Sequence, residues 1–144
     1  MTQYLLRVLL AGIIGLFIGL TSTSPDKTLS SRTFSIICMG SALITITSIG
    51  FYQNLALPWF GDPGRLPAQV ISALGFLGTG LIWVTEDHQV AGISSAASLW
   101  ITAIMGMIIG VGLHNIVVLG VMFFLFIFWV SHLVEGYKGL SRKK

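Results

Sequence analysis

The 144-residue chain predicts an all-α integral membrane protein, a bundle of about five transmembrane helices, and three observations carry that prediction. Charged residues make up 9% of it, against roughly a quarter in soluble globular domains. No Asp, Glu, Lys or Arg occurs between Gln89 and Val134. Glycine and hydroxyl residues recur inside the apolar runs at helical spacing; glycine weakens a helix in water, whereas in lipid it lets two helices touch closely. A span needs roughly 20 apolar residues, so five occupy about 100 positions and leave short connections with no room for a soluble catalytic domain.

The elements follow from where polarity interrupts the apolar runs. Helices are predicted over Tyr4 to Leu20, Phe34 to Tyr52, Pro67 to Thr85, Ser94 to Leu113 and Ile116 to Val134. Arg7 shortens the unbroken part of the first to Val8 through Leu20, a length shared with signal-peptide cores. The following Thr21-Ser22-Thr23-Ser24-Pro25 has no clear small-x-small site, and Gly12, Gly15 and Gly19 suit a helix that stays to pack. The long run after Gln89 divides where Gly110, Gly112, His114 and Asn115 cluster, which favours a reversal there. Residues 1–135 then form one transmembrane domain and 136–144 a basic tail.

Basic residues set the expected orientation. With five spans, Lys27 and Arg32 lie on the same side as Lys138, Arg142, Lys143 and Lys144, against Arg7 and Arg65 on the other. That excess places the C-terminus in the cytoplasm and the N-terminus outside. Gln53 to Leu66 then faces outward, with Tyr52, Trp59 and Phe60 as an aromatic anchor at headgroup level. The net charge of +3 fits tails beside anionic lipids and gives no reason to expect nucleic-acid binding.

Three predicted helices carry a polar stripe. Ser35, Cys38, Ser41, Thr45 and Ser48 recur at steps of three and four in the second; Gln69, Ser72, Gly75 and Thr79 do so in the third; Ser94, Ser98 and Thr102 in the fourth. These faces are expected to meet, as plain packing through hydrogen bonds worth about 0.6 kcal/mol each on average in lipid, or around a narrow polar cavity. At its outer mouth, Asp62 reads as an N-cap followed by a first-turn proline, and Asp62, Arg65 and Gln69 share a face. An ionisable residue beside a span calls for a specific partner, and Arg7 lies at the predicted depth of Asp62. Pro67 would cost a backbone bond inside a continuous helix, so a bend or restart is expected at Leu66 to Pro67. Asp62, Arg65 and Gln69, with Arg32 marking the cytoplasmic start of the second span, form the candidate polar site; Gly15, Gly19, Gly75, Gly78, Gly80, Gly106 and Gly110 are expected packing residues.

Other chemistry is thin. Cys38 is the single cysteine and sits mid-span, which suits packing rather than redox work. His88, His114 and His132 fall near predicted membrane edges as interfacial polar residues, no metal-binding spacing of Cys and His occurs, and no cofactor is implied. No nucleophile with a base and no paired-acid site is apparent, so no enzymatic activity is expected. Gly75-Phe76-Leu77-Gly78-Thr79-Gly80 does not have the spacing of a dinucleotide fingerprint.

The run from Asp62-Pro63-Gly64-Arg65 through Gln69 to Gly75-Phe76-Leu77-Gly78-Thr79-Gly80 resembles the acid-x-x-Arg, Gln and Gly-Phe-Leu-Gly-x-Gly signature of MgtC/SapB membrane proteins. Gly92-Ile93-Ser94-Ser95-Ala96-Ala97-Ser98-Leu99-Trp100, continuing to Gly106, Gly110 and Gly112, is similar to that family's second block. Gly15, Ile18, Gly19 and Arg32-Thr33 extend the resemblance over about Leu5 to Gly112. Thr21-Ser22 stands where the family commonly has an acidic-basic pair, and Pro67 where it has alanine. The chain ends shortly after its fifth predicted span, like the short SapB-type members without a soluble C-terminal domain.

The resemblance implies a multi-pass protein of the bacterial inner membrane, tied to magnesium limitation and, in pathogens, to virulence. It implies either a regulator that binds a membrane complex, the F-type ATP synthase being the family's best-known candidate, or a magnesium carrier. Magnesium demands near-octahedral oxygen coordination, yet no predicted span contains Asp or Glu, so regulation is the favoured expectation. The expected partners are therefore the lipid bilayer, such a membrane complex and a second copy of the chain in a homo-oligomer.

Overall fold

The computed structural model describes residues 1–21, 30–54 and 61–122. Lys27, Trp59, Phe60, His132, the later part of the fifth predicted span and the basic tail 136–144 lie outside them. The chain forms two compact units, Met1–Leu113 and His114 onward.

In the first unit, α1 covers Thr2–Thr21, α2 Ser31–Asn54, α3 Arg65–Thr79 and α4 Ile93–Val111, with a two-residue hairpin, β1 Trp83–Val84 and β2 Val90–Ala91, between α3 and α4. At 1.5 Å per residue, α1, α2 and α4 reach about 28 to 36 Å, enough to cross a hydrocarbon layer of roughly 30 Å. These three are the helices long and apolar enough to cross a membrane among the described residues. Each contains its predicted segment to within a few residues.

Helix α3 departs from expectation. It stops at Thr79, six residues short of its predicted end, and is 15 residues long. Ile82-Trp83-Val84-Thr85, rich in β-branched and aromatic residues, leaves the helix for the hairpin. Trp83 pairs with Ala91 and Val84 with Val90, and the loop closes through Thr85 N–H to Gln89 O at 2.8 Å. Gly92, at φ 87°, then turns the chain into α4; a side chain there would strike the Leu81 carbonyl.

The expected break after α4 is present. Gly112 adopts φ 90°, its N–H donates to Ile109 O at 3.0 Å, and Leu113 N–H donates to Ile108 O at 3.3 Å. This is the paired closure of a helix C-terminus on a left-handed glycine. In the second unit, a new helix runs over 114–122.

Helix α2 lies at the centre of the first unit. Gly12, Gly15 and Gly19 of α1 face Met39, Cys38 and Ser31, so α1 runs antiparallel to α2; Gly106 and Gly110 of α4 face Cys38 to Ser41 and Ala42 to Thr45, so α4 runs parallel to it. A Cβ on Gly15 would sit 2.7 Å from the Phe34 carbonyl, one on Gly110 2.7 Å from the Ala42 carbonyl, and one on Gly106 would strike the Cys38 carbonyl. Backbone therefore meets backbone on two sides of α2.

Small hydroxyl residues join an apolar interior, while large apolar residues cover much of the outside. Ser41, Thr45, Ser48, Ser95 and Thr102 are buried, while Leu5, Leu6, Leu9, Ile13 and Phe76 are exposed. Apolar surface on this scale suits lipid, where small residues drive helix contact and larger apolar ones face the chains.

Candidate functional site

The turn that opens α3 is built locally. Arg65 N–H donates to Asp62 O at 3.2 Å, closing a four-residue turn through Pro63 and Gly64, and Gly64 N–H donates to Asp62 Oδ1 at 2.8 Å. Asp62 is thus not the N-cap that the sequence suggests; Gly64 is, without a side-chain cap bond. The carboxylate is spent one turn early because the proline turn intervenes before the first helical residue. Pro67 breaks nothing, since α3 begins only two residues before it and first-turn N–H groups need no intrahelical acceptor. Ala68 N–H closes the first helical bond to Gly64 O at 2.9 Å.

This turn is tied to α2 by Ser48, whose Oγ donates to Pro63 O at 2.8 Å. Asp62, Arg65 and Gln69 all lie exposed at this end of the unit, Arg65 one turn above Gln69. Arg32 is also exposed, but it begins α2, about 24 Å along the helix from Ser48 at 1.5 Å per residue. The structure therefore keeps the first three predicted site residues together and sets Arg32 apart at the opposite end.

Arg7 takes a partner that sequence reasoning missed. Its Nη1 donates to Gly110 O at 3.0 Å and Val111 O at 3.4 Å, and its guanidinium lies against Gly112, where any side chain would collide with it. The last carbonyls of α4 have no intrahelical donors and carry the negative end of the helix dipole, so a cation satisfies both needs. The Tyr4 ring, 5.9 Å from the guanidinium, covers its other side. Arg7 and Asp62 share one end of the unit, as expected, yet no ion pair joins them among the described residues. The legible signal was Gly112 itself, a helix end in need of a cap; its pairing across 103 positions was not.

The three polar stripes do not converge. On α2, Cys38, Ser41, Thr45 and Ser48 are buried and Ser35 is half-buried, donating to Gly12 O at 2.8 Å. On α4 the buried register is Ser95, Leu99 and Thr102, while Ser94 is exposed and Ser98 donates back to Ser94 O at 2.9 Å. On α3 all of Gln69, Ser72, Gly75 and Thr79 are exposed, and Leu74 is buried instead. Gly75 consequently has nothing within 4 Å of an added Cβ, Gly78 meets only Ala96 at an ordinary 3.7 Å, and Gly80 touches the Leu77 carbonyl at 3.4 Å. None of these three is a close-approach residue in this unit; Gly15, Gly19, Gly106 and Gly110 are.

Beside Gln69 an open groove of about 350 Å³ separates α2 from α3, lined by Ile44, Thr47, Leu66, Gln69, Val70 and Ala73. Its surface is almost wholly apolar. No group of three or more His, Cys, Asp or Glu gathers among the described residues.

Three membrane-length apolar helices, buried hydroxyls and an apolar exterior place the chain in the class of helical membrane proteins. It belongs to the MgtC family, whose model matches residues 8–137. It is 37% identical to the Escherichia coli K12 protein named "Putative magnesium transporter YhiD", over 90% of this chain and 61% of that one. It is 34% identical to protein SapB of Bacillus subtilis, over 77% and 49%, and 32% identical to protein MgtC of Salmonella typhimurium, over 78% and 45%. The chain thus spans roughly half to three-fifths of the length of these relatives. No solved structure matches it.

Proposed function

We propose that this chain is a non-enzymatic, multi-pass protein of the bacterial plasma membrane that regulates or assists a larger membrane complex during magnesium limitation. The first four helices alternate in direction and the chain breaks at Gly112, as a multi-pass chain requires; five spans with an outer N-terminus and a cytoplasmic C-terminus are part of this proposal and rest on the distribution of basic residues. The observation that carries the reading is the division of small residues. Those of α1 and α4 are consumed against α2, whereas Ser72, Gly75 and Thr79 lie open on α3 beside Phe76, which is 80% exposed. An open small-residue face with a protruding aromatic suits docking of another helix. The F-type ATP synthase is the partner that the family resemblance implies.

The second reading, magnesium transport, draws on the printed name of the E. coli relative and on the acid at the α3 turn. Against it, no group of three or more His, Cys, Asp or Glu gathers among the described residues, and the groove near Gln69 is apolar. Two measurements separate the readings. Copurification of a defined membrane complex, lost on Gly75→Leu, with no magnesium flux into protein-loaded vesicles, supports regulation. Flux that disappears in Asp62→Asn supports transport and sinks the regulatory reading.

A further inference from the structure

We propose that the groove between α2 and α3 binds one acyl chain of an anionic phospholipid, with Arg65 holding its headgroup phosphate. On α3 the lining runs from Leu66 to Ala73, two helical turns or about 10 Å. The slot therefore follows the helix axes, the direction in which lipid chains lie. A volume of about 350 Å³ falls within the range of small-molecule clefts, roughly 300 to 1,000 Å³, and an apolar lining with a few polar groups, here Thr47 and Gln69, is the ordinary make-up of such sites.

The charge stands at the correct end. Arg65 directly precedes Leu66, the first lining residue, and lies one turn above Gln69. Its side chain is exposed and, among the described residues, makes no ion pair; the neighbouring Asp62 Oδ1 accepts from the Gly64 amide. A guanidinium at the end of an apolar slot can match a lipid phosphate bidentately. A second copy of the chain is a poorer occupant. A two-fold interface brings the same patch of both copies together, so it would set one Arg65 against the other at equal depth.

The test uses the full chain in phosphatidylcholine vesicles doped with phosphatidylglycerol that carries a photoreactive acyl chain, with adducts mapped by mass spectrometry. Adducts are expected at Val70 and Ala73. Arg65→Gln should lower them about tenfold, the loss expected for one charge-assisted contact, and Ala73→Phe should abolish them by filling the slot. Equal labelling by a phosphatidylcholine probe with the same chain, or undiminished labelling of Arg65→Gln, would mean ordinary solvation by bulk lipid and overturn the proposal. So would a protein-protein cross-link through the thiol of Ala73→Cys in place of lipid adducts. Arg65 is exposed, so its variant decides the matter even where Ala73→Phe fails to insert.

Discussion

Helices α3 and α4 carry similar small-residue patterns and use them in opposite ways. On α4, Gly106 and Gly110 leave so little space that α2 backbone fills the position of a Cβ. On α3, Gly75 opens onto empty space and the helix docks through Leu74. A glycine stripe is therefore permission for close approach, and whether the approach happens depends on which face the neighbouring helix can reach. Here Ser48 and the Pro63 turn fix the entry of α3, and the buried edge falls on Leu74 rather than on Gly75.

The sharpest way to break this contrast is to fill the glycine face of α4. Gly106→Leu and Gly110→Leu should each prevent a stable fold, because overpacking costs about 1–3 kcal/mol even where side chains can yield and here the obstruction is backbone. Thermal melts in detergent and protease resistance would reveal it, and a native-like melt would refute the packing account. Arg7→Leu ranks next: it strips the donor from the part-buried Gly110 carbonyl and from the exposed Val111 carbonyl, and with a fully buried orphan costing about 1–3 kcal/mol the loss should fall near the lower end of that range. Hydrogen exchange at the end of α4 should rise, with Arg7→Lys restoring part of the protection.

Ser48→Ala tests how α3 is anchored. Loss of its bond to Pro63 O should cost about 0.6 kcal/mol, the average for a hydrogen bond in lipid, and should loosen the α3 turn without unfolding α4. The smallest effect on the fold is expected for Gly75→Ala, within about 0.5 kcal/mol, since nothing lies within reach of the new methyl group. If that variant melts as early as Gly106→Leu, the distinction between the two helices fails. If it melts normally but no longer copurifies a partner, α3 gains its role as the docking face.

Much of the fold was legible because membrane-length apolar runs have few alternatives: with backbone groups unable to bond to lipid, they become helices. The ends of α1, α2 and α4 and the break at Gly112 follow from composition and glycine placement alone. The site was legible only in part. Asp62, Arg65 and Gln69 share one end because they are close in sequence, but the stretch from Gly80 to Thr85, which leaves α3 and holds the first hairpin strand, was read as continuous helix. Periodicity identifies a face without saying what it faces.

The sequence by itself determined an apolar helical chain of the MgtC family, with few charges and none between Gln89 and Val134. Only the tertiary structure decided that Arg7 caps α4 across 103 residues, that α2 is the helix sheathed by glycines, and that the polar stripe of α3 lies outside. Helix formation is satisfied by local hydrogen bonds and is written locally. Which faces touch depends on the shapes that distant segments bring together.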